Sequence, residues 1–155
     1  MLQFPYEPVP LTGPAPPSLR STATAHWRPF APVTIAGPTG VSRHFKRALI
    51  DPGADDTVFP LDLVSVLRVV LRPDTGHRLR WRGQQYPLRY GEVGLQLAEG
   101  GTTYRWTAVV CFCNAPIPYR ILGNAGCLEF FDVTFLGADR LVELEPNGSY
   151  AGMIA

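Results

Sequence analysis

Short runs containing apolar residues, punctuated by glycine and proline, recur along this chain, and over Leu79–Gln96 apolar and polar positions alternate with a period of about two. That period places successive side chains on opposite faces of a strand. It predicts a hairpin over Leu79–Gln96, and strand-forming residues bounded by turn signals predict strands over Trp27–Ile35 and Arg43–Ile50, joined by the turn-rich Ala-Gly-Pro-Thr-Gly stretch. A strongly apolar strand follows at Tyr104–Phe112, then shorter ones at Asp132–Leu136 and Leu141–Leu144. Helical spacing occurs once with conviction, at Leu61, Leu63, Val64 and Leu67, with Pro60 suited to the first turn of that helix. Ala125–Phe131 reads as a second, short helix near the C-terminal end. Many short strands around one main helix predict an all-β, small closed barrel.

Before the first of these strands lies a proline-rich arm, residues 1–25, with prolines at positions 5, 8, 10, 14, 16 and 17. Its Phe4, Tyr6 and Leu11 are apolar enough to pack on the body. Residues 26–155 form the single domain. Glycine (15) and proline (16) are frequent enough to favour turns over long helices, and the net charge of +1 calls for no charge-driven partner. No apolar run approaches the length needed to cross a bilayer. The N-terminus lacks the pattern of a secretory signal, and three cysteines cannot all pair, so the expected setting is cytoplasmic. Cys111, Cys113 and Cys127, with His26, His44 and His77, lack paired metal-ligand spacing and read as buried thiols, with no metal and no cofactor. The arginines between positions 68 and 89, interleaved with Trp81, Tyr86 and Tyr90, would be divided between strand faces, so no nucleic-acid partner is expected.

The run with most chemistry is Ala48-Leu-Ile-Asp-Pro-Gly-Ala-Asp-Asp-Thr-Val-Phe-Pro60. An apolar strand delivers Asp51 to the edge of a core, a Pro-Gly pair turns the chain, and Asp55 and Asp56 follow at once. The plainer reading is an acidic turn at a strand end, since Asp, Pro and Gly are ordinary turn residues. About seventy residues later, Tyr119–Phe135 reads Y-R-I-L-G-N-A-G-C-L-E-F-F-D-V-T-F.

Together the two stretches resemble the paired signatures of the retropepsin-like aspartic proteases, over roughly Trp27 to Leu144. The resemblance implies an acid-protease barrel in which Asp51 supplies one catalytic carboxyl. Two such groups face each other across a water, one as base and one as acid. A one-lobe chain must borrow the second from another copy, so the resemblance implies a homodimer acting on a peptide or protein substrate. Gly53, Ala54, Asp55 and Asp56 correspond to substrate contacts, and Thr57, Gly123 and Asn124 to supports of the loop. Gly83, Gln84 and Gln85 correspond to the tip of a flap over the bound peptide. Two positions depart from the family pattern. Pro52 stands where a Thr or Ser bonds across the dimer axis, and Asn124 where many members place an arginine. Proline has neither hydroxyl nor N–H, which predicts a weaker axis. The other reading left open is a catalytically silent module that binds peptides or supports assembly. Asp74-Thr75-Gly76, a literal D-T-G, follows Arg-Pro rather than an apolar pair and reads as a turn between helix and hairpin.

Overall fold

A computed structural model describes all residues, Met1–Ala155. In chain order its strands are β1 (Leu2–Pro5), β2 (Glu7–Pro10), β3 (Ala25–Arg28), β4 (Phe30–Ala36), β5 (Ser42–Ile50) and β6 (Val58–Pro60). Helix α1 (Leu63–Leu67) comes next, then β7 (Arg78–Trp81), β8 (Gln84–Pro87), β9 (Arg89–Glu99), β10 (Thr102–Cys113) and β11 (Arg120–Leu122). A 3₁₀ turn (Leu128–Phe130) precedes β12 (Phe131–Leu136), β13 (Leu141–Pro146) and β14 (Met153–Ile154).

The predicted alternation decides which side chains face inward. β9 buries Val93, Leu95 and Leu97, every second residue, and β10 buries Tyr104, Trp106 and Ala108 in the same alternation before both its faces are covered over Val110–Cys113. Each large apolar side chain withdrawn from water contributes about 1.5–3 kcal/mol. These two strands form the longest antiparallel ladder, and Gly100 and Gly101, at φ 59° and 84°, make the two-residue turn between them. The ladder closes on itself in the order β10-β6-β11-β5-β4-β9, with β9 pairing back to β10, giving a closed six-stranded barrel. β1, β13 and β12 make a separate three-stranded sheet, while β2–β3 and β7–β8 are two-stranded. No helix is long and apolar enough to cross a membrane.

Several elements differ from the sequence expectation. The main helix is one short turn: Pro60 ends β6 instead of opening α1, and Leu61 precedes the helix. The backbone N–H of Leu61 donates to the carbonyl of Cys113, so pairing with the sheet overrides the helical spacing there. The expected helix over Ala125–Phe131 shrinks to the 3₁₀ turn, because Gly126 takes φ +87° and Cys127 takes φ −139°, neither of them helical. Trp27 belongs to β3, separated from β4 by Pro29. The first ten residues are integrated into sheets, with Leu2 and Phe4 in the core.

Candidate active site

Asp51 projects from the end of β5, whose last three residues pair in parallel with all of β11, Ile50 opposite Leu122. The ladder extends one step further, with the Asp51 N–H donating to the Leu122 carbonyl at 3.0 Å. The chain then reverses. Ala54 N–H donates to the Asp51 carbonyl at 3.1 Å, and Gly53 N–H donates to Asp51 Oδ1 at 2.9 Å. Pro52 supplies the preset φ suited to the second position of this turn. Gly53 does not adopt positive φ, so the turn is not of type II. The glycine matters through proximity: a Cβ there would lie 3.2 Å from Asp51 Oδ1.

Residues 54–57 and 123–125 then bind each other backbone to backbone. Asn124 N–H donates to the Ala54 carbonyl (2.9 Å), Ala125 N–H to that of Asp55 (2.8 Å), and Thr57 N–H to that of Ala125 (3.1 Å). Thr57, the one fully buried polar residue, completes the join: its Oγ1 donates to the Ala125 carbonyl at 2.9 Å and accepts from Gly123 N–H at 3.2 Å. The barrel braces the far side, where Trp106 Nε1 donates to the Gly126 carbonyl at 2.9 Å. Asp51, Pro52, Gly53, Ala54, Asp55, Asp56, Thr57, Gly123 and Asn124 therefore form one loop pair, although the sequence separates its halves by about seventy residues.

Beside this pair runs a cleft of about 320 Å³, lined on one side by Gly53, Ala54, Asp55 and Asp56 and on the other by Arg78, Leu79 and Trp81 of β7. Ile117 and Ile121 add to its apolar wall. Asp51 is half-buried at the head of the loop, outside the cleft's own lining. The hairpin β7–β8 thus reaches the cleft through its first strand, whereas Gly83, Gln84 and Gln85 stand exposed away from the lining. The turn between these strands holds Arg82 and Gly83 at φ 49° and 80°, the paired positive values of a tight hairpin. Trp81 is half-buried, and its indole N–H has no partner within the protein. A larger hollow, about 440 Å³ between β10 and β14, contains Arg105 but no carboxylate, and that guanidinium is bonded to Gln96.

Tyr90, which the sequence reading did not single out for the site, ties β9 to the acidic loop: its hydroxyl donates to Asp56 Oδ2 at 2.9 Å. Burial, and then Asp56, raise its proton affinity well above that of an ordinary phenol. Removing the bond in Tyr90→Phe is expected to cost about 1 kcal/mol in a denaturation midpoint. The sign with pH follows from the shift. The unfolded chain releases this proton near pH 10 while the folded one retains it, so its stabilising effect is lost as pH rises past about 10. The gap between wild type and Tyr90→Phe is therefore constant below about pH 10 and narrows as pH rises above it; a constant gap there contradicts the assignment.

Cys111, Cys113 and Cys127 are buried free thiols. Burial, and secondarily Asp56, push the Cys111 thiol up to about 12, and burial raises Cys127 as well, so neither offers a thiolate nucleophile near neutrality. Asp74-Thr75-Gly76 is an exposed turn between α1 and β7. Gly76 N–H donates to Asp74 Oδ1 at 2.9 Å, and that bond, with help from Arg78, holds the Asp74 carboxyl below the usual carboxylate range.

No family model matches the chain, and no curated protein or solved structure matches it.

Proposed function

We propose that the chain is a retropepsin-like aspartic endopeptidase whose active site forms between two copies, each supplying Asp51. The observation that carries this reading is the joined loop pair: an Asp carboxylate fixed at a strand end, next to a cleft with apolar walls, with the Gly123–Asn124 segment locked beneath it. One carboxyl cannot act as base and acid at once. With two facing each other, the ionised member takes a proton from water as its oxygen attacks the peptide carbonyl carbon. The protonated member gives its proton to the carbonyl oxygen. Collapse of the tetrahedral intermediate breaks the C–N bond, and the nitrogen leaves with a proton returned by the pair. The reaction requires neither metal nor covalent intermediate, and an extended peptide is the substrate that a cleft between loop and hairpin suits.

Dependence on two copies makes dilution the decisive experiment. Specific activity on a denatured protein substrate is expected to fall on dilution, with half-loss at the dissociation constant measured by sedimentation. Activity that persists undiminished where only monomer sediments contradicts the shared site. Pro52 lacks both groups that a Thr would offer across the axis. Pro52→Thr is therefore expected to add about 1 kcal/mol of association, roughly five- to tenfold in the dissociation constant. An unchanged constant refutes this account of the axis.

The same proline favours a second reading, a silent peptide-binding module in which hydrolysis has lapsed. Peptide binding with no cleavage at any concentration, by both wild type and Pro52→Thr, selects it.

A further inference from the structure

Hydrolysis by Asp51 requires that its carboxylate be held still, and one neighbour is placed to do so through an intermediate peptide plane. The amide joining Pro52 to Gly53 is a rigid planar unit. Its N–H donates to Asp51 Oδ1 at 2.9 Å, and its carbonyl, on the opposite side of the plane, accepts from Asn124 Nδ2 at 2.9 Å. With the proline ring fixing its own φ, rotation of this plane proceeds chiefly through the ψ of Pro52 and the φ of Gly53. A hold on the carbonyl opposes both. Asn124 reaches it from a fixed base: its N–H is bonded to the Ala54 carbonyl at 2.9 Å, and its carbonyl accepts from Glu129 N–H at 3.0 Å.

We propose that Asn124 is a positioning residue for Asp51, clamping the Pro52–Gly53 peptide so that its N–H stays aimed at the carboxylate. The inference rests on reading Asp51 as the hydrolytic group. It also gives Asn124, one of the two departures from the family pattern, a role of its own: its amide serves the turn that holds Asp51. Pro52 and Asn124 are both exposed, so the bond contributes more to the geometry of the turn than to the stability of the fold. The turn at Asp74 offers an internal comparison. It repeats the N–H to carboxylate bond, Gly76 to Asp74 at 2.9 Å, without a side-chain donor on the intervening carbonyl.

Asn124→Asp keeps the shape and removes the donor, and Asn124→Ala removes the side chain. In both, kcat is expected to fall about tenfold with KM within about twofold of wild type and the denaturation midpoint unchanged. Amide exchange followed by NMR is expected to quicken several-fold at Gly53 and to stay constant at Gly76. Unaltered Gly53 exchange in both variants overturns the clamp whatever the activity. Faster exchange with an unchanged kcat overturns the positioning role. A wild-type protein that cuts nothing overturns the hydrolytic reading instead, and the exchange rates still decide whether Asn124 holds the plane.

Discussion

Asp51→Asn is expected to lower peptide cleavage about 10⁴-fold while leaving folding, peptide binding and sedimentation intact. Asn matches the carboxylate in shape and can still accept the Gly53 N–H through its oxygen, so the turn at 51–54 survives. The lost property is proton transfer: an amide neither takes a proton from water nor gives one to a carbonyl oxygen. The shared site adds a stricter test. When equal amounts of wild-type and Asp51→Asn subunits are mixed and allowed to exchange, about half of the wild-type subunits pair with an inert partner, so activity drops to about half. A site contained within one chain gives no such poisoning. Asp74→Asn is the control, since Asp74 sits in an exposed ion-paired turn, and its cleavage rate is expected to match wild type. Full activity in Asp51→Asn removes this residue from the chemistry altogether.

Long barrel strands left a trace in the sequence because apolar side chains line the core, and Tyr104 to Phe112 announce β10. Val93 and Leu95 of β9, by contrast, fall at the end of what reads as one hairpin over Leu79–Gln96. The structure divides that stretch into the hairpin β7–β8 and a separate strand β9 paired with β10 and β4. The three-residue strands β6 and β11 left no trace, since three residues carry no readable period and their pairing with distant partners defines them. Local spacing misled where tertiary bonds intervened. Pro60 and Leu61 look like the start of a helix, yet Leu61 is held by Cys113. At the site, one contiguous run supplied Asp51 through Thr57 and a second supplied Gly123 and Asn124. Turn chemistry alone gives only an acidic turn, and it was the resemblance of the two runs to paired family signatures that marked them as parts of one site. The flap tip fared differently. Gly83 stands at a hairpin turn as expected, but the residues of this hairpin that reach the cleft are Arg78, Leu79 and Trp81 of its first strand, a placement that the packing of β7 against the loop decides and the turn composition does not. Tyr90 escaped for a related reason. Nothing near it in sequence indicates that its hydroxyl meets Asp56, thirty-four positions earlier.

Gly123→Ala is expected to destabilise the fold by about 3 kcal/mol or more, among the larger effects a single substitution produces. The cause is close backbone approach. A Cβ at this position would stand 2.1 Å from the Asp56 carbonyl oxygen, 2.6 Å from its carbon and 2.9 Å from the Ala54 carbonyl oxygen. All three obstacles are main-chain atoms in the segment that Thr57, Asn124 and Ala125 hold by hydrogen bonds, so no side chain can swing aside. Relief requires parting the two halves of the loop pair, which surrenders the Thr57 bond to Gly123 and those from Asn124 and Ala125, each worth about 1 kcal/mol. For a domain of this size, that loss corresponds to a melting temperature lower by roughly 10 °C. Gly53→Ala provides the contrast: its added Cβ meets only Asp51 Oδ1, at 3.2 Å, so it is expected to disturb cleavage far more than stability. Urea titration of both variants at equal slope separates the effects. A Gly123→Ala midpoint within about 1 kcal/mol of wild type means the two segments are not packed against each other in solution, and the positions assigned to Asp51 and Asn124 lose their common support.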